Sequence, residues 1–179
     1  MDGGPCSVGV ESTIIDLTCR PPRLLRPGGV TLESLRSVLG EVEVDPAVTR
    51  LMGPGEQPKA PGMKYRHYAP QASLTIVEGK AEDTIAYINT QCAKLKAEGK
   101  GAGVIATDET RGMYQAAVVK SIGTRRDEEG IARHLFGILR EFDEEKVDAI
   151  FSESFDTPKM GQAIMNRLLK AAGHHIIRL

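Results

Sequence analysis

Short apolar runs alternate with amphipathic stretches through residues 72–179 of this 179-residue chain. Runs rich in β-branched or small apolar residues lie at 73–77, 103–106, 116–119, 147–151 and 175–179. Apolar residues recur at helical spacing over 81–98, 128–145 and 159–172. Because strands that alternate with helices are joined by crossovers, this pattern predicts an α/β domain: a Rossmann-like, mostly parallel sheet with flanking helices.

Residues 1–70 have a different character, since they hold nine of the ten prolines. Two strand-like segments, 8–16 and 22–26, flank a Pro-Pro turn and predict an antiparallel hairpin. Thr31 is predicted to cap a short helix that ends at Gly40. A hairpin and one helix bury little surface, and no disulfide or metal motif supports them. We therefore expect this segment to be the end of a larger domain, with residues 53–70 as a linker.

The composition gives no indication of a nucleic-acid-binding, membrane or secreted protein. Lysine and arginine total 23 against 24 acidic residues, so the overall charge of −1 gives no sign of a nucleic-acid-binding face. No apolar run approaches the ~18 to 20 residues that span a bilayer, and no signal-peptide pattern is present. The three cysteines are widely spaced, with no CxxC pair. Together these features predict a cytoplasmic chain with no membrane contact.

Common catalytic motifs are missing from the sequence: it has no phosphate-binding P-loop, HExxH or GxSxG element. The glycines of residues 101–103 precede a strand instead of following one, which favours a flexible turn over a dinucleotide site. His174 and His175 lack nearby carboxylate or cysteine partners, so a structural role is favoured over metal binding. Four acidic residues of the α/β part are predicted to be solvated: Asp108, Glu109, Asp127 and Glu153.

The first segment carries the most specific chemistry. Ser12 and Thr13 follow a glycine-rich approach, and neighbours on a strand point to opposite faces, so only one can face a cleft. Arg26 precedes a Pro-Gly turn, where its planar guanidinium suits a phosphate or carboxylate. A surface hairpin with a salt-bridged arginine is an equally good interpretation of these residues.

Three motifs in this order resemble one known family. They are GVESTIID at residues 9–16, LLRPGG at 24–29 and APGMKYRHYAP at 60–70. The chain resembles the C-terminal part of two-domain threonylcarbamoyl-AMP synthases. The resemblance implies the end of an α+β YrdC-like domain at 1–52, a linker or lid at 53–70, and a small Rossmann-like domain at 71–179.

The resemblance also implies an activity. Enzymes of this family are nucleotidyltransferases that convert L-threonine, bicarbonate and ATP, with Mg²⁺ on the phosphates, into threonylcarbamoyl-AMP and pyrophosphate. The product feeds threonylcarbamoyladenosine formation in tRNA. Implied partners are therefore a downstream tRNA threonylcarbamoyl-transferase complex, and tRNA or double-stranded RNA, although the charge balance gives the RNA contact no independent support.

The resemblance implies that Ser12 contacts threonine and that Arg26, Tyr65 and His67 contact ATP, with no catalytic or metal-ligating residue assigned. The family's KxR and Ser-x-Asn elements have no counterpart in this sequence. We therefore expect the chain to be a partial, inactive fragment, with ATP and Mg²⁺ held mainly by the part it lacks. The alternative is a regulatory or nucleotide-binding module that closes over and supports a catalytic domain.

Overall fold

The computed structural model describes residues 4, 7–63, 68–155 and 159–179. Four helices lie in these ranges: α1 (Leu32–Leu39), α2 (Ala81–Ala97), α3 (Glu128–Glu144) and α4 (Gly161–Ala171). The first segment has strands β1 (Ile14–Asp16), β2 (Arg23–Arg26) and β3 (Glu43–Val44). The later strands are β4 (Ser73–Glu78), β5 (Ala102–Ala106), β6 (Val118–Ser121), β7 (Ala149–Glu153) and β8 (Ile176–Arg178).

The predicted α/β sheet is confirmed, and every strand pair in it is parallel, in the order β6-β5-β7-β4-β8. Successive side chains on each strand enter different cores, because they point to opposite faces. Ile76 and Ile150 pack with α3 and α4, whereas Val77 and Phe151 pack with α2. Helices thus cover both faces, which explains why the central strands carry apolar residues on both faces.

Two strands of this sheet start two residues later than the apolar runs predict. β6 begins at Val118 instead of 116, and β7 at Ala149 instead of 147. The register explains the difference for β7: Ala149 is opposite both Ser73 of β4 and Ala102 of β5. The preceding Asp148 instead accepts a hydrogen bond from the amide of Gly101, at 2.7 Å, in the turn before β5.

The first segment forms a small mixed sheet of its own. The predicted hairpin is confirmed, with β1 antiparallel to β2, and β3 adds parallel to β2. The predicted strand over 8–16 is wrong for residues 8–13, however. Gly9 has φ +77°, outside the extended region, and an added Cβ there would lie 2.2 Å from the Cα of Arg133. Close packing against α3 therefore bends the chain out of the strand.

Helix α1 agrees with the sequence prediction, but it is unusual in its surroundings. The Thr31 side chain accepts the amide hydrogen of Ser34, and Gly40 ends the helix with φ +79°. Although its apolar residues lie on one side, none of the residues of α1 is buried, and Val38 is 83% exposed. Among the described residues, no helix combines the length and apolarity needed to cross a membrane.

The close approach at Gly9 can be tested with a matched pair of substitutions. Gly9→Ala and Gly40→Ala both place a Cβ on a left-handed residue, which costs about 1–2 kcal/mol. Only Gly9→Ala also meets backbone atoms, those of Ala132 and Arg133, whereas nothing lies within 4 Å at Gly40. We expect urea unfolding to show a further loss of about 1–3 kcal/mol for Gly9→Ala. Equal losses in the two variants would contradict the packing of the first segment against α3.

Candidate functional site

The hairpin brings together two of the residues singled out in the sequence, Ser12 and Arg26. Arg26 Nε donates to the Ser12 carbonyl oxygen at 3.0 Å, and Arg26 Nη2 donates to Ser12 Oγ at 3.1 Å. The pairing of β1 with β2 causes this contact, since it sets Ile14 opposite Arg26. Ser12 is exposed and Arg26 is half-buried, so both side chains adjoin the surface.

The Thr13 side chain binds the loop after β2 and not Arg26. Its Oγ1 donates to the carbonyl of Val30 at 2.7 Å and accepts from the amide of Val30 at 3.0 Å. Gly28 lies in the same loop, and a Cβ there would be 2.4 Å from the carbonyl oxygen of Glu11. Thr13 and Gly28 therefore fasten the loop after β2 to the chain around Ser12, while Ser12 itself stays accessible.

The two arginines at the ends of β2, Arg26 and Arg23, form different contacts. Within the described ranges, Arg26 forms no ion pair, and its bonds to Ser12 use two of the five N–H groups of a guanidinium. Arg23, at the other end of β2, is the salt-bridged surface arginine, with Nη2 2.8 Å from Glu43. Arg26 therefore keeps N–H donors that its bonds to Ser12 do not use, and its anion-binding role stays a prediction, whereas Arg23 links β2 to β3.

A residue that sequence reasoning missed supports both sides of this site. Arg167 of α4 is 5% exposed and forms an ion pair with Glu11. It also donates to the carbonyl of Pro27 at 3.1 Å and to Asn166 Oδ1 at 2.6 Å. Burial lowers the pKa of Arg167 and Glu11 opposes that shift, and a guanidinium remains charged in either case. Since Glu11 precedes Ser12 and Pro27 follows Arg26, one buried guanidinium holds both segments.

Two further polar residues of α4 are buried against the first segment. Asn166 Nδ2 donates to the carbonyl of Val48 at 2.6 Å, and Lys170 Nζ donates to the carbonyl of Met63 at 2.5 Å. Burial, with a smaller effect from the positive charge of Arg167, lowers the pKa of Lys170. Asn166, Arg167 and Lys170 share one side of the helix. Polar residues at that spacing normally indicate a solvated helix face, so this interface could not be predicted from the sequence pattern.

The linker motif is held on both of its flanks. Before residues 64–67, Met63 accepts from Lys170 and is buried beside Leu25. After them, the carbonyls of Tyr68 and Ala69 accept from Arg140 Nη2 at 2.8 and 3.0 Å. Tyr65 and His67, the other predicted ATP contacts, lie outside the described residues, so their placement stays a prediction.

The predicted solvation of the four acidic residues is wrong for Glu153. Its side chain is buried and accepts hydrogen bonds from Thr110, Tyr114 and Arg125. The other three are exposed, as predicted, and bind nearby backbone or hydroxyl groups. The Thr124 hydroxyl and the Arg125 amide lower the pKa of Glu109 to about 2. Glu153 was missed because a single glutamate after an apolar strand shows nothing of its distant partners.

Metal binding by the histidine pair finds no support in the described part of the chain. His175 Nδ1 lies 2.9 Å from the hydroxyl of Thr75, a contact between β4 and the start of β8. Among the described residues, no group of three or more histidine, cysteine, aspartate or glutamate side chains could hold a metal ion. These contacts are consistent with the structural role predicted for His175.

Comparison with known proteins identifies relatives for nearly the whole chain. Residues 30–173 match the family model described as "Threonylcarbamoyl-AMP synthase, C-terminal domain". The chain is 46% identical to the threonylcarbamoyl-AMP synthase of Bacillus subtilis over 178 residues, which cover 99% of this chain and 49% of the relative. It is 47% identical to that of Pyrococcus abyssi, covering 100% and 50% respectively. The chain thus spans about half the length of these relatives.

Solved structures agree with the sequence comparison. The crystal structure of P. abyssi Sua5 complexed with L-threonine is 45% identical and superimposes with a TM-score of 0.87. That match covers 99% of this chain and 50% of the Sua5 chain. The C-terminal Sua5 domain from Pyrococcus horikoshii is 32% identical, with a TM-score of 0.50 over 62% of this chain.

The contribution of Arg167 to the free energy of unfolding can be compared with that of an exposed arginine. Arg167→Met removes the partner of the Glu11 carboxylate and three further hydrogen bonds. Breaking a buried ion pair costs about 3 kcal/mol or more. Arg178→Met is the control, because the Arg178–Glu78 pair is exposed and its loss costs at most about 1 kcal/mol. Urea unfolding of both variants measures the two losses. If Arg167→Met were no more destabilising than Arg178→Met, the anchoring role of Arg167 would be wrong.

Proposed function

Because this chain belongs to the threonylcarbamoyl-AMP synthase family and carries the C-terminal domain of those enzymes, we propose that it contributes substrate-binding residues to threonylcarbamoyl-AMP synthesis. The substrates are L-threonine, bicarbonate and magnesium-bound ATP, and the products are threonylcarbamoyl-AMP and pyrophosphate. Ser12 contacts threonine and Arg26 contacts the ATP phosphates. The product then serves tRNA modification through a downstream transferase complex in the cytoplasm.

The proposed reaction has two bond-forming steps. The threonine amine attacks carbon dioxide derived from bicarbonate and loses a proton, which gives a carbamate. A carbamate oxygen then attacks the α-phosphorus of ATP, and the bond to the pyrophosphate oxygen breaks. The protein's part in such a reaction is mainly to align the reactants and to neutralise phosphate charge.

The observation that carries this proposal is the hydrogen bond between Arg26 and Ser12. The groups proposed to bind the two substrates lie 3.1 Å apart. A carbamate formed on threonine must reach the α-phosphorus of ATP, so the two binding residues are required to be neighbours. The relative from P. abyssi was crystallised with L-threonine, which supports a threonine site in this family.

The α/β domain supports the site in two ways in this proposal. Arg167 is a positioning residue, because it binds Glu11 and the carbonyl of Pro27 on either side of the Ser12–Arg26 contact. The domain also holds both flanks of the linker, through Lys170 at Met63 and Arg140 at Tyr68. From these anchors, Tyr65 and His67 close over the nucleotide and exclude water from the labile carbamate.

The half of the relatives that this chain does not match completes the proposed site. It supplies the KxR and Ser-x-Asn elements that the sequence lacks, and with them most contacts to threonine and to the magnesium-bound triphosphate. The same half covers helix α1, whose apolar side is open in the described chain. An unburied amphipathic helix of this kind needs a packing partner to be stable.

Arg26 can be tested in a chain extended at its N-terminus by the unmatched half of the B. subtilis relative. Arg26→Gln removes a charged donor from the ATP phosphates, and we expect kcat/KM for ATP to fall at least about tenfold. Arg23→Gln is the control, since Arg23 lies on the same strand but binds Glu43. Threonine- and bicarbonate-dependent pyrophosphate release measures both variants. Equal activity of the two variants would refute the phosphate-binding role of Arg26.

The chain of 179 residues alone is expected to release no pyrophosphate. Ser12 and Arg26 supply only two of the contacts that the substrates need, and effective catalysis requires both reactants to be held in one geometry. The measurement is pyrophosphate release with threonine, bicarbonate and ATP, using the full-length B. subtilis relative as a positive control. Turnover comparable to that of the control would show that these 179 residues hold a complete site.

A further inference from the structure

A cleft lies at the carboxyl end of the five-stranded sheet, and none of its lining residues belongs to the Ser12–Arg26 site. Its volume is about 270 Å³. The lining comes from four parts of the chain: the β4–α2 junction, the segment after β5, the segment after β6, and the end of β7. The polar side chains among them are Thr84, Thr110, Tyr114, Arg125, Glu153 and Ser154.

The topology of the sheet places a crevice at this point. Strands β4 and β7 are neighbours, but the chain leaves them toward opposite faces. After β4 it enters α2, on the face that holds Val77, and after β7 it continues to α4, on the other face. In open parallel sheets, a crevice opens where neighbouring connections diverge in this way, and ligands bind there outside the strand ends.

Glu153 ends β7 as a buried carboxylate with donors from three directions. Tyr114 Oη donates to Glu153 Oε1 at 2.8 Å, and Thr110 and Arg125 also donate to this carboxylate. Burial and the negative charge of Glu153 raise the pKa of Tyr114, so the phenol remains a neutral donor. Burying a charge is costly unless it is paired and hydrogen-bonded. The apolar core beneath this edge of the sheet does not need a buried carboxylate for its stability, so Glu153 is a candidate for ligand binding.

Arg125 is held rigidly while part of it remains accessible. Its Nη1 donates to the carbonyl of Ser154 at 3.0 Å, another N–H binds Glu153, and the guanidinium lies 5.3 Å from the centre of the Phe155 ring. The Arg125 side chain is nevertheless 42% exposed, whereas that of Glu153 is 4% exposed. A guanidinium has five donors in a fixed planar fork, so an oriented and accessible one is suited to a carboxylate or phosphate.

We propose that this cleft binds a small metabolite that carries an anionic group and, a few bonds away, a hydroxyl or ammonium donor. The anionic group, a carboxylate or a phosphate, binds Arg125. The donor binds Glu153, whose carboxylate has about four acceptor sites and uses three of them within the protein. The cleft lies just below the ~300 to 1,000 Å³ of typical small-molecule sites, which favours a compact ligand. The inference is independent of the function proposed for Ser12 and Arg26.

The experiment is an NMR titration of the isotope-labelled 179-residue chain with three probes: AMP, L-serine and inorganic phosphate. We expect saturable amide shifts at Gly79, Tyr114 and Ser154 with AMP or with L-serine. Saturation by AMP alone identifies a phosphate ligand, and saturation by L-serine alone identifies an amino-acid carboxylate. Inorganic phosphate has no hydroxyl or ammonium donor a few bonds away from its anionic group and should bind at least about tenfold more weakly. The proposal fails if no probe moves these amides, or if inorganic phosphate binds as tightly as the organic probes.

Matched variants decide whether the binding depends on the cleft. Arg125→Gln is expected to weaken the organic probe at least about tenfold, whereas Arg126→Gln, which removes the same charge from an exposed neighbour outside the cleft, should change it less than about twofold. Arg125→Lys retains the charge without the planar fork and should bind with intermediate affinity, which also guards against misfolding of the glutamine variant. Equal weakening by Arg125→Gln and Arg126→Gln would show nonspecific anion binding and overturn the proposal.

Discussion

The buried guanidinium of Arg167 is the contact on which the relation between the two parts of this chain depends. A charge that is 5% exposed must be paired and fully hydrogen-bonded, because its desolvation is otherwise prohibitive. Glu11, the carbonyl of Pro27 and Asn166 meet that requirement together. Any relative movement of α4 and the first segment would leave these groups unpaired. The contact therefore determines where the Ser12–Arg26 pair lies with respect to the α/β domain.

Two arginine–glutamate pairs among the described residues each have one buried partner, and their arrangements are opposite. In Arg167–Glu11 the arginine is the buried partner, and its donors are directed at carbonyl and carboxylate groups of the protein. In Arg125–Glu153 the glutamate is buried and the arginine side chain is 42% exposed. The first arrangement suits an anchor between two segments, since the guanidinium is enclosed. The second suits ligand recognition, because a rigid guanidinium faces an open cleft.

These arrangements give the α/β domain two separate roles. One role is to hold the Ser12–Arg26 pair, which we propose to contact substrates, and both flanks of the linker, through α3 and α4. The other uses the carboxyl end of the parallel sheet, where four parts of the chain converge. The two roles depend on different elements: the positioning contacts come from helices on one face, whereas the cleft is formed by loops at the strand ends. A ligand in the cleft and substrates at Ser12 and Arg26 would therefore occupy distinct places.

Helices and strands that depend on interactions between nearby residues could be predicted from the local sequence pattern. Alternating strands and helices predicted the parallel α/β sheet, and Thr31 and Gly40 marked the ends of α1, because periodicity and capping act within a few residues. The motifs around Ser12 and Arg26 also indicated the family and two candidate contacts. The burial and the partners of charged residues such as Arg167 depend instead on residues that are distant in the sequence. The helical pattern around Arg167 indicates a solvated residue of an amphipathic helix, because its partner Glu11 is 156 positions away in the sequence.

The same distinction explains the other differences between sequence and structure. Residues 8–13 have the composition of a strand, but Gly9 packs against the backbone of α3, and that contact determines its left-handed conformation. Glu153 is the last residue of β7, and its burial depends on three donors from segments that meet only in the folded protein. Local sequence pattern therefore predicts the fold class and most of the helices and strands. It does not predict which charges are buried, because the partners that compensate a buried charge come from distant parts of the chain.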